Sequence, residues 1–128
     1  MDLYGQHKYD DAIEAYDEAI RIDPNLADAW SNKGVVLDKH GKHDEAIQAF
    51  DKAIKLAPND AAIWINMGTA LGQQGKYDAA LQALDNAIKL EPQYGVAWYN
   101  KGLAFKVLGR TDEANVAFAK AKELGYSG

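Results

Sequence analysis

Three asparagines, Asn32, Asn66 and Asn100, stand 34 residues apart, each two positions after a tryptophan. A primary amide offers two donors and one acceptor. A row of them can hydrogen-bond the backbone of an extended peptide without reading its side chains. The same amides can instead bond locally, each within its own segment. Other chemistry is thinly provided. His40 and His43 bracket Gly41 and precede Asp44, but a metal site needs three or four converging ligands. His43 also stands where sister segments carry Tyr9 and Tyr77, so a packing role accounts for it. His7 reads as an exposed turn residue. The acids Asp44, Glu45, Asp51, Asp78 and Asp85 read as a solvated face, since acid–base work needs carboxylates that converge in a pocket. The chain has no nucleophile–base pair and no glycine-rich phosphate loop. We expect binding rather than catalysis, with no metal and no cofactor.

The elements that carry the asparagines form a repeating frame. Its central copy is Trp64, Asn66, Gly68, Gly75, Asp78, Ala80, Ala87 and Pro92. The preceding copy is Trp30, Asn32, Gly34, Gly41, Asp44, Ala46, Ala53 and Pro58, and the following one is Trp98, Asn100, Gly102, Gly109, Asp112, Ala114 and Ala121. Self-similarity at this period marks an array of helical repeats. Residues 25–58, 59–92 and 93–126 are complete repeats, and residues 1–24 match only the second half of one. Within each repeat the spacing predicts two helices. In the first, a helix capped by Asn25 runs to about His40. Gly41 ends it in a left-handed conformation, and a second helix follows from about Asp44 to Leu56. Gly34 and Ala46 are small where the pair approaches closely. In residues 1–24 the pattern predicts a helix from Tyr9 to Ile22, stopped by Pro24. Leu3 and Tyr4 read as the last turn of a separate partner helix.

Composition narrows the class further. A chain of 128 residues fits one domain, here taken as residues 1–128. It has no cysteine, which removes disulfides and thiolate metal sites. Its formal charge of −5 argues against a nucleic-acid partner, because phosphate binding rests on Lys and Arg. The apolar runs are too short to span a bilayer, and no secretory signal is visible. A cytoplasmic protein is the default expectation.

The frame resembles the tetratricopeptide repeat. Trp64, Met67, Gly68, Leu71, Ala80, Leu84, Ala87 and Pro92 follow the family pattern with conservative swaps, and the resemblance covers nearly the whole chain. Lys33 and Lys101 depart from it, standing where the family usually has leucine. Their stems are expected to lie along the apolar face with the ammonium in water. The resemblance implies an all-α fold: a right-handed superhelical solenoid of about seven helices in antiparallel pairs. It also implies an adaptor or scaffold that binds a peptide segment of a partner in a concave groove lined by the first helix of each pair. On this geometry the groove residues are Asn32, Asn66 and Asn100 with Ser31, Val35, Ile65, Thr69, Val96, Tyr99, Leu103 and Lys106, flanked by Gly72, Gln73 and Val107. Family members that hold chaperone tails use a carboxylate clamp of asparagines and basic residues. Here its positions are Ser31, Val35, Asn66, Val96 and Asn100, without a cation, so no chaperone-tail binding of that type is expected.

Repeat arrays normally end in polar caps, and neither end shows one. The favoured expectation is a fragment of a longer array whose neighbouring repeats cover Tyr9, Ile13 and Tyr16 at the front and Ala117 and Phe118 at the back. The competing one is that these faces self-associate into a homo-oligomer. Alternative roles are a self-assembling structural unit or the targeting domain of a larger enzyme. RNA binding, as in the related pentatricopeptide repeats, runs against the acidic balance.

Overall fold

The computed structural model describes residues 3–128. Among the described residues there are seven α-helices and no strand: α1 (Leu3–Ile22), α2 (Ala27–Lys39), α3 (His43–Leu56), α4 (Ala61–Gln73), α5 (Tyr77–Leu90), α6 (Gly95–Val107) and α7 (Thr111–Glu123). The chain divides into two compact units between Pro58 and Asn59.

Glycine decides where the helix pairs turn. Gly41, Gly75 and Gly109 have φ of 78°, 82° and 76°, a region costly for any residue with a Cβ. At the first of these turns the N–H of Lys42 donates to the carbonyl of Leu37 at 2.9 Å and that of Gly41 to Asp38 at 3.0 Å. These two bonds make a Schellman cap, which satisfies carbonyls the ending helix leaves open. The same pair of bonds recurs at Gly75, at Gly109 and at Gly125, where α7 ends. One frame earlier than Gly41 stands His7. Histidine lacks the free access to positive φ that glycine has, and α1 runs straight through it from Leu3 to Ile22. Leu3 and Tyr4 therefore belong to α1 and not to a separate partner helix.

In the unit ending at Pro58, α1 packs on α2 and α2 on α3. Gly34 of α2 gives room to the Phe50 ring of α3: a Cβ there would lie 2.7 Å from Cε1. Phe50 is 1% exposed. Asn25 does not cap α2. Leu26 occupies the cap position without a side-chain bond, and the backbone N–H of Asn25 donates to Oδ1 of Asp23. The indole N–H of Trp30 donates to the Pro24 carbonyl at 3.0 Å, which ties α2 to the end of α1. Lys33 does not end in open water. Its side chain is about a quarter exposed and pairs with Asp17 of α1.

In the unit from Asn59 onward, α4 pairs with α5 and α6 with α7, while α5 packs on α6. Asp60 caps α4, accepting from the Ala62 N–H at 3.1 Å. Gly68 opposes Leu84, and Gly102 opposes the Phe118 ring, where a Cβ would meet Cε1 at 2.6 Å. Trp98 donates to the Pro92 carbonyl at 2.9 Å, and Lys101 pairs with Asp85 at 2.8 Å, as their counterparts do in the other unit. Two apolar clusters fill the interior. One gathers Ala61, Ile65, Ala87 and Ala97 with Trp64 and Val96. The other gathers Leu81, Ala104, Phe105 and Ala114 with Tyr77 and Phe118.

Candidate functional site

Residues 59–128 contain a hollow of about 680 Å³ between α4 and α6, floored by α5. This is within the range of small-ligand and peptide side-chain pockets. Its floor is Tyr77, Ala80 and Leu84. One wall is Gly68, Thr69, Gly72 and Gln73, and the other is Asn100, Leu103, Ala104, Lys106 and Val107. Helical spacing sets the walls: Gly68 and Gly72 are one turn apart, as are Leu103 and Val107. Leu103 and Val107 are 41% and 59% exposed, so the apolar surface continues out of the hollow onto α6.

A polar bond crosses the hollow. The Thr69 hydroxyl donates to the Ile65 carbonyl at 2.9 Å and accepts from the Asn100 amide at 3.3 Å. Asn100 thus spends one donor locally and keeps its other N–H and its Oδ1. Lys106 is the one charged residue of the lining. It makes no ion pair among the described residues.

Several residues expected in the groove lie elsewhere. Ser31 is 5% exposed and Ile65 is 7% exposed. Both are therefore closed to a ligand in this structure, and Ile65 is packed against Ala61, Ala87 and Ala97. Val96 packs on the Ile65 cluster. Tyr99 turns toward α7 and the C-terminal residues, its ring centroid 5.4 Å from Phe118 and 5.3 Å from Tyr126. Asn66 and Val35 are half-buried, and Asn66 is not part of the hollow's lining. Asn32 is exposed on α2 in the first unit. The hollow does gather Thr69, Asn100, Leu103 and Lys106. Sequence reasoning assigned its floor to helix packing alone. The usable signal was two glycines one turn apart beside a threonine, which leaves one face of α4 without bulk.

The expected self-association faces are partly internal. Tyr9 and Ala117 are buried. Tyr9 stacks on His40 with ring centroids 4.0 Å apart, and Phe118 fills the space left by Gly102. Ile13 and Tyr16 are half-buried. The exposed large apolar side chains of α1 and α7 are instead Leu3, Tyr4, Ile22 and Val116. His43 bonds Asp38 through Nδ1 at 2.6 Å, and Nδ1 of His40 lies 3.0 Å from the Val36 carbonyl. Among the described residues no three His, Cys, Asp or Glu side chains converge on one point. Nor is any helix long and apolar enough to cross a membrane.

A family model of the tetratricopeptide repeat matches residues 1–61 and again residues 65–125. The chain belongs to the tetratricopeptide repeat family. Solved structures agree on the fold. A crystal structure of MamA aligns with 97% of this chain and 75% of its own, at 28% identity and a TM-score of 0.85. The first tetratricopeptide domain of Spaghetti (RPAP3), bound to the HSP90 peptide SRMEEVD, aligns over 77% of this chain and 78% of its own, at 28% identity and a TM-score of 0.74. A search of the curated proteins finds no match. As a tetratricopeptide protein this chain is an all-α helical solenoid, and that fold implies protein–protein interaction.

Proposed function

We propose that this tetratricopeptide chain binds a peptide segment of a partner protein on the α4–α6 face of residues 59–128, as an adaptor or scaffold rather than an enzyme. The observation that carries this reading is the apolar hollow, continued by exposed Leu103 and Val107. A mostly apolar hollow with a few polar groups at its wall is the usual form of a ligand site. Asn100 contributes the N–H and carbonyl oxygen that its bond to Thr69 leaves over, and these suit an extended backbone. The Spaghetti domain binds an acidic chaperone peptide. The clamp positions here carry no cation, so that ligand is not the one we expect.

The test is a displayed library of random peptides selected against the whole chain. Selected peptides should lose affinity to Leu103→Asp and to Asn100→Ala, with circular dichroism unchanged. Selection that returns no sequence above background would overturn the reading.

Self-association is a second reading, favoured by the exposure of Leu3 and Tyr4 at 90% and 67%. It predicts a mass in sedimentation that rises with concentration and returns to monomer in a Leu3→Ser, Tyr4→Ser variant. A constant monomer mass would end it.

A further inference from the structure

Gly72 has no reason in the fold to be glycine. Elsewhere each helix or turn glycine of the frame has one: Gly68 makes room for Leu84, a Cβ there lying 2.9 Å from Cγ, and Gly75 takes positive φ. Gly72 lies inside α4 without positive φ, and a Cβ built on it meets nothing within 4 Å. A glycine inside a helix weakens it relative to alanine. Sister repeats carry Asp38 and Lys106 at this frame position. What the glycine does is keep the hollow open, since any side chain at this place projects into it.

The lining sets the chemistry of what enters. It contains no carboxylate, and its single charge, Lys106, has no ion-pair partner among the described residues. The contrast with the hollow of about 360 Å³ in the first unit decides the matter. That one is lined by Asp10, Glu14, Asp17, Glu45, Lys33 and Lys42 beside Tyr9, Ile13 and Leu37, and its charge suits it less well to an apolar side chain.

We propose that the Gly72 hollow is a specificity subsite. It takes a large apolar side chain, leucine-like or aromatic, from a partner peptide, while Lys106 pairs with an acidic residue beside that anchor. This inference rests on the peptide-binding reading and names its ligand class.

The experiment repeats the library selection on the whole chain and adds Gly72→Leu, Gly72→Ala and Lys106→Glu. Leucine at position 72 fills part of the hollow from a Cβ that meets no atom within 4 Å, and thermal melts confirm that each variant is folded. The wild type should enrich peptides with Leu, Ile, Phe or Trp next to Asp or Glu. A peptide so selected should bind Gly72→Leu about tenfold or more weakly, the loss expected from turning one large apolar side chain out of its pocket. Gly72→Ala should lose less, and Lys106→Glu should shift the enriched neighbour from acidic to basic. Peptides that bind wild type and Gly72→Leu equally would overturn the subsite while leaving peptide binding intact. An enrichment without acidic neighbours, unmoved by Lys106→Glu, would overturn the pairing. A wild-type selection that returns nothing would remove both the subsite and the function it rests on.

Discussion

Adding one methyl group to α2 and one to α4 should move stability in opposite directions. At Gly34 the new Cβ would sit 2.7, 2.9 and 2.9 Å from three ring carbons of Phe50, well inside the roughly 3.5–4.0 Å at which carbon atoms attract. Phe50 is 1% exposed, so the ring has nowhere to go without moving α3. Overpacking of this kind costs about 1–3 kcal/mol. Alanine returns up to about 1 kcal/mol of helix propensity, which leaves a net destabilisation of up to about 2 kcal/mol for Gly34→Ala. At Gly72 the propensity gain stands alone, because the Cβ meets nothing. Gly72→Ala should therefore stabilise by up to about 1 kcal/mol. Urea titration followed by far-ultraviolet circular dichroism reads both. Amide exchange in α2 and α4 assigns each change to its own segment, as repeat arrays require when they do not unfold in one step. Phe50→Leu deletes the ring atoms that make the contact, so Gly34→Ala should cost less in that background, with a coupling of about 1 kcal/mol. Equal shifts at positions 34 and 72, or a Gly34→Ala protein as stable as the wild type, would show that the close approach does not constrain the pair.

Three further outcomes are expected. Gly41→Ala should cost about 1–2 kcal/mol although no atom lies within 4 Å of the new Cβ. The cost comes from φ alone, and denaturant titration showing no change would refute the left-handed turn. A double-mutant cycle with Lys33→Met and Asp17→Asn should give a coupling of about 0.5–1 kcal/mol that shrinks as salt rises, whereas additivity would mean the pair is idle. The third concerns acid. The hydrogen bond from Arg21 holds the Glu18 carboxyl below its ordinary value of 4.5. A carboxylate with a depressed folded pKa stabilises above the unfolded value and loses that contribution as pH falls through the folded one. Below pH 4.5 the wild type should lose α1 stability more steeply than Arg21→Ala, read by amide exchange in α1. Parallel profiles would remove the pair from the account. Both groups are exposed, so the effect is small.

Much of this protein was legible in the order of its residues, because the rules involved are short in range. The period of 34 and the position of each turn glycine follow from helical spacing and from the cost of positive φ. The recurrence of Trp with Pro has an equally local cause, an indole N–H that reaches a carbonyl six residues back. Even the misread start of α1 fits the same rule, since His7 stands where the glycine of a turn would be. The tertiary structure alone decided which face of each first helix stays open. Ile65 and Tyr99 share one frame position, yet Ile65 is sealed into a cluster with Ala87 and Ala97 while Tyr99 leans on Phe118 and Tyr126. Lys33 and Lys101 found their carboxylates on the preceding helix. The hollow at Gly72 arises in the same way, because Tyr77, Ala80 and Leu84 come from α5 to floor it. A helix sets the direction of every side chain along it, but what covers that direction is supplied by residues of other helices, and only their packing determines it.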